Sequence, residues 1–460
     1  MRAGLAALAV IGVVATAIVG GAAPAANAAT SRIDGDDRFE TAVLASQQLP
    51  RGEAVFLASG MSFPDALAAA PVAASEGAHL LLVRPEGIPQ VALDEIRRLA
   101  PSEVVILGSE ATLSATVATQ AQQLSPKVTR IGGADRVETS MLLLDRMRLR
   151  TTVTDVWVAS GSGFPDALAA GAVAAREGHG VILTLGASPA FEQRLASRVA
   201  GVQRFHIPGS TASVGDDVRA MLAATGRSVD RFPGSDRYET AVLINRAFTP
   251  PGSGTDMVLA SGAGFPDGLV GAVFAGLRDE ALYLTSPHCA TSTSVADEQR
   301  RLGSTQLTVL GGLSTVSADA AALKLCPPPM PSPSETASAL LQRINAERAA
   351  VGARPLALDA CLEDMAEGWA GSMAAQRLAG SAHNPSLTAE ARACALRGWG
   401  ENVGRTWGSG GPDANRIMTA WMASEGHRLN IQRASFTHIG IGVATSSDGY
   451  AYYVLDFGTR

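Results

Sequence analysis

Three arginines of this 460-residue chain stand where a positive charge is unfavourable. Each follows an aspartate placed to cap a helix, in the strings RIDGDDRFETAV, RIGGADRVETSM and RFPGSDRYETAV. The macrodipole disfavours a cation in the first turn of a helix, so a cation that recurs there three times needs a partner. Either an aspartate elsewhere in the fold or an anionic ligand would provide one. The arginines are Arg38, Arg136 and Arg237.

A second repeated string supplies the candidate aspartates. The decamers ASGMSFPDAL, ASGSGFPDAL and ASGAGFPDGL each contain Phe-Pro-Asp, separated from a preceding apolar run by a short segment that begins Ser-Gly. Proline suits the first turn of a helix, because an N–H has no helical partner there, and an aspartate complements the dipole. The string therefore predicts a helix start, and its carboxylates are candidates for pairing with the arginines or for binding a ligand. The aspartates are Asp65, Asp166 and Asp267.

The two strings belong to a larger unit that occurs three times. A third shared string, VVILGS, FHIPGS or LTVLGG, follows in each copy, and the order of the three is kept. Short apolar runs alternate with helical patterns inside a copy, which predicts a parallel sheet covered by helices. Ligands bind beyond the carboxyl ends of such strands, where the shared strings fall. The predicted copies are residues 29–129, 130–230 and 231–326.

The N-terminus predicts export. One arginine precedes an apolar run that ends in Ala26-Asn27-Ala28, the pattern of a signal peptide over residues 1–28. A retained membrane anchor is the alternative, and no later run is long and apolar enough to span a bilayer. The net charge of −6 argues against a nucleic-acid partner.

The cysteines fit an exported chain. Four of them, an even number, predict two disulfides in an oxidising compartment. Three pairings are open from sequence alone, and the domain boundaries favour Cys289–Cys326 and Cys361–Cys394. The stretch CPPPMPSPSE then predicts a stiff linker over residues 327–334.

Residues 335–460 have a different character, and the repeated decamer does not return there. Ser334 is the predicted N-cap of an opening helix. The later motifs are AHNPS, GWGENVG and EGHRLNI, and the alternating pattern around Asp448-Gly449 predicts a β-hairpin.

The triplicated strings resemble the type 2 cell-wall-binding repeat of exported Gram-positive proteins. The resemblance implies three flavodoxin-like or Toprim-like α/β units in a pseudo-threefold assembly. It also implies non-covalent binding of an anionic cell-wall glycopolymer, for which the three arginines and three aspartates are the candidate contacts. Three weak sites on one rigid body would gain affinity through effective concentration. The ion-pair interpretation of the arginines stays open beside this one.

The C-terminal motifs resemble the short bacterial branch of the CAP superfamily. The resemblance implies an α-β-α sandwich with a cleft lined by two His and two Glu, in which some members bind zinc. His383 matches the first His, Glu401 the first Glu and His427 the second His. The second Glu would fall at Ser424, beside Glu425. Asn402, next to Glu401, belongs to the same predicted cleft.

Two interpretations of this cleft remain. His383, Glu401 and His427 would form a three-ligand zinc set with an open position, or a polar cleft that needs no metal or other cofactor. Ser424 and His427 make a poor nucleophile–base pair, because no further carboxylate orients them. We expect a secreted, wall-associated protein whose CAP domain binds an unknown ligand, with no reaction assigned. The alternatives are a metal-dependent peptidase or peptidoglycan hydrolase, and a carrier of lipid or sterol.

Overall fold

A computed structural model describes residues 28–327, 330–407 and 411–460. The predicted signal peptide, except for Ala28, lies outside these residues. The chain divides into two compact units, one up to Cys326 and one from Pro327. None of the described helices is both long enough and apolar enough to cross a membrane.

The N-terminal unit alternates strands and helices throughout, as the apolar runs predict. Its strands are β1 Ala29–Ile33, β2 Ala54–Ser59, β3 His79–Val83, β4 Glu103–Leu107, β5 Val128–Ile131, β6 Asp155–Ser160, β7 Gly180–Thr184, β8 Arg204–Pro208, β9 Ser228–Phe232, β10 Met257–Ser261, β11 Ala281–Thr285 and β12 Gln306–Leu310. Its helices are α1 Arg38–Gln47, α2 Ala69–Ser75, α3 Gln90–Leu99, α4 Ala115–Gln122, α5 Arg136–Arg148, α6 Pro165–Glu177, α7 Pro189–Ala196, α8 Asp216–Ala224, α9 Arg237–Phe248, α10 Pro266–Arg278, α11 Ser294–Leu302 and α12 Ala318–Ala321.

These strands form three parallel sheets of four strands each. The orders are β3-β2-β4-β5, β7-β6-β8-β9 and β11-β10-β12-β1. In every sheet the last strand comes from the start of another repeat, so each repeat completes the sheet of its neighbour. The third sheet is completed by β1, at the beginning of the chain, and the three repeats thereby close on one another. The predicted boundaries 129/130 and 230/231 fall inside β5 and β9.

The helices that follow the Phe-Pro-Asp strings hold the three repeats together. α2, α6 and α10 pack against one another, and most of their residues are buried. In the first repeat the helix is interrupted, because a short 3₁₀ turn at Pro64–Ala66 precedes α2. The three phenylalanines of the strings meet: Phe63 lies 5.5 Å from Phe164 and 5.6 Å from Phe265 between ring centroids. This cluster gives the unit an approximate threefold arrangement.

Two local predictions are confirmed in the N-terminal unit. Asp37, Asp135 and Asp236 cap their helices by accepting backbone N–H bonds from the first turn. The disulfide Cys289–Cys326 is present. It joins the loop after β11 to the end of the unit.

The C-terminal unit is a sandwich of helices around a mixed sheet. Its strand order is β13-β15-β16-β14, with β13 parallel and the others antiparallel to their neighbours. Its elements are α13 Pro333–Ala350, β13 Ala357–Leu358, α14 Ala360–Ala375, α15 Leu387–Ala393, β14 Gly398–Trp407, α16 Ala414–Ala423, α17 Glu425–Gln432, β15 His438–Thr445 and β16 Tyr450–Thr459.

The two faces of this sheet are covered differently. Tyr453, Leu455 and Phe457 pack in one core with residues of α13, α16 and α17. Tyr452 and Val454 face the opposite side, toward α14. Alternate strand residues point to opposite faces, so one strand serves both cores.

The predicted hairpin and the second disulfide, Cys361–Cys394, are both present. The predicted N-cap of the opening helix is wrong by two residues. Ser332 caps α13, since its hydroxyl accepts from Glu335 N and the Glu335 carboxylate accepts from Ser332 N. Pro333 takes the first helical position, where a missing N–H has no cost.

We expect Gly276→Ala to lower the free energy of unfolding of the N-terminal unit by about 1–3 kcal/mol through overpacking. A Cβ at Gly276 in α10 would lie 2.4 Å from the Cβ of Ala175 in α6. Gly171→Ala is the matched control, because its nearest neighbour would be an ordinary 3.6 Å away. That change should be neutral or stabilising by about 0.5–1 kcal/mol. Urea denaturation of both variants checks this, and equal effects would refute close packing of the central helices.

Candidate functional site

The three repeated arginines occupy equivalent places. Each begins its helix and donates from Nη1 to a glycine carbonyl 2.6 Å away at the end of a strand in its own repeat. The acceptors are Gly60 for Arg38, Gly161 for Arg136 and Gly262 for Arg237. A guanidinium has five N–H donors. Among the described residues, the bond to the glycine carbonyl is the hydrogen bond that each of these side chains makes. Each arginine is therefore held in place with donors to spare.

The three aspartates lie at the carboxyl ends of the sheets. A hydroxyl of the loop after the next strand donates to two of them, Thr112 to Asp65 and Ser213 to Asp166, both at 2.7 Å. In the third repeat the Thr315 hydroxyl lines the same cleft as Asp267 and donates to the Gly312 carbonyl at 3.0 Å. A glycine with positive φ precedes each of these loops, at Gly108, Gly209 and Gly311.

Arginine and aspartate from different repeats line the same clefts. The second cleft, of about 390 Å³, contains Asp166 and Ser213 of the second repeat and Arg237 of the third. The third cleft, of about 300 Å³, contains Asp267 and Thr315 of the third repeat and Arg38 of the first. Asp65, Thr112 and Arg136 are the equivalent residues of the first and second repeats. The structure thus brings two of the three predicted arginine–aspartate sets together across repeat boundaries.

These arginines and aspartates do not form ion pairs. Within the described ranges, no guanidinium nitrogen of Arg38, Arg136 or Arg237 lies within 4.0 Å of a carboxylate oxygen. The charges still interact at longer range in the third cleft. Burial raises the pKa of Asp267, while the Thr315 hydroxyl and the charge of Arg38 act in the opposite direction. The second and third clefts therefore carry both an unpaired cation and a carboxylate beside a hydroxyl.

In the C-terminal unit the structure brings His383 and Glu401 together. His383 Nδ1 hydrogen-bonds to the Glu401 carboxylate, which also accepts from the backbone N–H of Asn384 at 3.1 Å. The Glu401 side chain is buried, whereas the His383 side chain is 66% exposed. Asn384 in turn donates to Glu390 at 2.8 Å.

The other predicted cleft residues take different positions. The Asn402 side chain donates to the backbone carbonyl of His427 at 3.0 Å, and not to its ring. Nδ1 of His427 is buried without a hydrogen-bond partner among the described residues. Burial and the nearby charge of His383 lower the pKa of His427. Ser424 separates α16 from α17, and Glu425 is exposed at the first position of α17.

The site includes a carboxyl group that the sequence interpretation missed. Asp456 of β16 is fully buried, and neither of its carboxylate oxygens has a hydrogen-bond partner among the described residues. It stands opposite Glu401 on the neighbouring strand, so the two side chains share a face. Burial, with the charges of Glu401 and Glu390, raises the pKa of Asp456 to about 8.

Close contact between α14 and the sheet explains why water does not reach this carboxyl group. Gly440, the other neighbour of Asp456 in the sheet, lies against the backbone of α14. A Cβ at Gly440 would come within 2.0 Å of the Leu362 carbonyl. The helix therefore covers the sheet directly at this position.

The predicted three-ligand set of His383, Glu401 and His427 is not formed in this arrangement. Across residues 28–327, 330–407 and 411–460, no three His, Cys, Asp or Glu side chains are placed to hold a metal ion. A depression of about 600 Å³ lies between α14 and α15, next to His383 and Asn384. It includes Met365, Trp369 and Glu390.

Comparison with known families agrees with both units. Residues 32–118, 130–219 and 231–321 match the family described as cell wall binding domain 2. Residues 341–457 match the cysteine-rich secretory protein family, CAP. The chain therefore belongs to the cell wall binding domain 2 family and carries a C-terminal CAP domain, as the sequence motifs predict.

The curated relatives include two Bacillus subtilis (strain 168) proteins. The N-acetylmuramoyl-L-alanine amidase LytC is 26% identical over 262 residues, which cover 57% of this chain and 51% of that protein. The amidase enhancer is 29% identical over 257 residues, covering 55% of this chain and 34% of that protein. The chain thus matches about half of the first relative and about a third of the second.

Among solved structures, Cwp6 from Clostridium difficile superposes with a TM-score of 0.58 at 23% identity. The match covers 67% of this chain and 50% of that one. At this identity the likeness concerns the fold, and it agrees with the three parallel-sheet units.

We expect Asp456→Asn to stabilise the C-terminal unit at pH 7. The pKa of this carboxyl group rises from 3.8 to about 8 on folding, so between these values the folded state binds a proton that the unfolded state has lost. Wild-type stability should therefore fall as pH rises through this window, by up to ~1.4 kcal/mol per pH unit. Asparagine has no such proton to lose.

Urea-dependent amide hydrogen exchange in β16 of the full chain, from pH 5 to 8, measures this effect. Asp364→Asn, at an exposed position of α14, is the control and should keep the wild-type pH dependence. A wild-type stability that rises with pH over this range would show that Asp456 is ionised in the folded state.

Proposed function

We propose that the N-terminal unit anchors the chain non-covalently to an anionic cell-wall polymer. The observation that carries this proposal is the same Arg and Asp arrangement at the meeting points of the repeats. An arginine with free donors binds phosphate or carboxylate groups, and an aspartate accepts from sugar hydroxyls. The family match and the names of the curated relatives support a role at the cell wall.

The multiplicity of the clefts compensates for weak binding at each one. Each cleft is open and offers one cation, so a single contact would be weak and sensitive to salt. Three clefts on one rigid body raise the overall affinity, because the second and third contacts are intramolecular. We further propose that residues 1–28 direct export, which would place the clefts outside the membrane.

The CAP domain is proposed to bind a ligand without a metal. His383 is exposed and its ring is oriented by the buried Glu401, which suits recognition of a polar group. The depression between α14 and α15 combines the apolar side chains of Met365 and Trp369 with the carboxylate of Glu390. A lipid or sterol in this depression is the alternative to a polar ligand at His383. Nothing in this arrangement requires a chemical step.

Replacing Arg38, Arg136 and Arg237 together with alanine should weaken binding to purified Gram-positive cell walls by about tenfold or more. The matched control is the triple alanine variant of Arg97, Arg204 and Arg300. Each of these is exposed, lies in a different repeat and pairs with a surface aspartate. The control removes the same number of positive charges from positions outside the two described clefts. It should therefore bind as the wild type does.

Co-sedimentation at increasing salt provides the measurement, with circular dichroism to confirm folding. Wild-type protein should be released by salt, and walls stripped of their anionic polymers should not retain it. Equal binding by the two folded triple variants would refute the assignment of the clefts. Retention through the C-terminal unit alone would reverse the assignment of the two units.

Calorimetric titration of the full chain with zinc tests the CAP proposal. We expect no binding at micromolar zinc, because the side chains do not converge on a common point. His383→Ala is the control for adventitious binding. Stoichiometric uptake that this variant abolishes would contradict the proposal and favour the metal-dependent hydrolase.

A further inference from the structure

The third cleft differs from the others in how its two walls are connected. β5 is joined to its partner β4 through α4, and β9 is joined to its partner β8 through α8, so both connections are short. β1 pairs with β12 instead, with Ala29 beside Gln306 and Ile33 beside Leu310. Its place in that sheet therefore depends on non-covalent contacts across nearly the whole N-terminal unit.

β1 is an edge strand that pairs along its whole length with β12 alone, mostly through the backbone. Ala29 N donates to the Thr305 carbonyl at 2.8 Å, and Gly311 N donates to the Ile33 carbonyl at 3.0 Å. Arg32 adds a side-chain bond from Nη1 to the Gly311 carbonyl at 2.5 Å. Its first three residues are exposed. Little apolar surface holds the strand, so its release costs less than that of a buried strand.

One wall of the third cleft is formed by the residues that come next in the chain after β1. The loop from Gly35 to Asp37 and Arg38 line the cleft opposite Asp267, Gly312 and Thr315. If β1 left the sheet, this loop would lose its anchor at Gly311 and β12 would expose an unpaired edge. The second cleft would keep both walls, because β9 is joined to β8 through α8.

The loss would remain local. Among the described strands, β1 pairs only in the third sheet, and the first sheet has its four strands without it. α1 would stay attached, since it packs on α10 and on β3 and Arg38 binds the Gly60 carbonyl. Displacement of β1 therefore opens one cleft without unfolding a repeat.

We propose that residues 29–33 act as a closing strand that switches the third cleft between a complete and an incomplete state. This proposal rests on the proposed function of the clefts. A chain whose N-terminus is held away from β12 has two complete clefts and binds wall polymer weakly.

The test compares residues 29–460 with the same chain lacking residues 29–33. Amide hydrogen exchange reports strand insertion independently of any ligand, and co-sedimentation with purified Bacillus subtilis cell walls reports binding. We expect faster exchange in β12 of the shortened chain and unchanged exchange in β4 and β8. Wall binding should fall by about tenfold, because one of three linked contacts is lost.

Milder variants keep the test sharp if the deletion disturbs folding. Arg32→Ala should reproduce part of both effects. Its matched controls are Arg130→Ala and Arg231→Ala, whose side chains make the corresponding bonds to Gly108 and Gly209. Those strands are held by the continuous chain, so the controls should bind more tightly than Arg32→Ala. Ser31→Cys with Thr308→Cys, whose hydroxyls lie 3.4 Å apart, should lock the strand and keep wild-type binding when oxidised.

The outcomes separate the two proposals. If the wild type does not sediment with the walls, the proposed function of the clefts fails, and the switch fails with it. If the wild type binds and the shortened chain binds equally well despite fast exchange in β12, the switch alone is wrong. Unchanged exchange in β12 after the deletion would show that β1 does not occupy this edge.

Discussion

Each parallel sheet of the N-terminal unit takes its outer strand from another repeat, and the rest of this unit depends on that exchange. A repeat on its own would leave the edge of β4, β8 or β12 unpaired, which exposes a row of backbone donors and acceptors. Completing the sheet requires the next repeat to lie alongside, and the third sheet requires the beginning of the chain. The exchange of strands therefore makes three similar sequences into one body and places a loop of one repeat against the aspartate of another.

The central helices make this arrangement compact. Small residues in α2, α6 and α10 allow their backbones to approach, and Phe63, Phe164 and Phe265 meet beside the starts of these helices. A rigid body with repeated clefts suits binding to a repeating polymer, because it presents several contacts at fixed spacings. The same logic explains the chemistry of each cleft. An arginine held by a single carbonyl bond keeps donors for an anion, and an aspartate oriented by a hydroxyl remains a hydrogen-bond acceptor.

Local features of this fold could be predicted from the sequence, and contacts between distant segments could not. Alternating apolar runs predict the strands, Asp-x-x-Glu predicts the helix starts, and an even cysteine count with clear boundaries predicts both disulfides. The pairing of distant parallel strands leaves no such local pattern. The pairing of β1 with β12 and the sharing of clefts between repeats could therefore not be predicted from the sequence. Asp456 was missed for a different reason. A lone aspartate in the apolar run YAYYVLDFG is the available signal, but only the structure shows that it faces Glu401 beneath α14.

Amide hydrogen exchange of the full chain, free and bound to purified cell walls, tests the central claim most directly. Shared clefts predict protection in the loops around Arg38, Arg136 and Arg237 together with the loops around Asp65, Asp166 and Asp267. Both sides of a cleft should be protected to a similar extent, although they belong to different repeats. Protection confined to one repeat, or to residues of the C-terminal unit, would contradict the account.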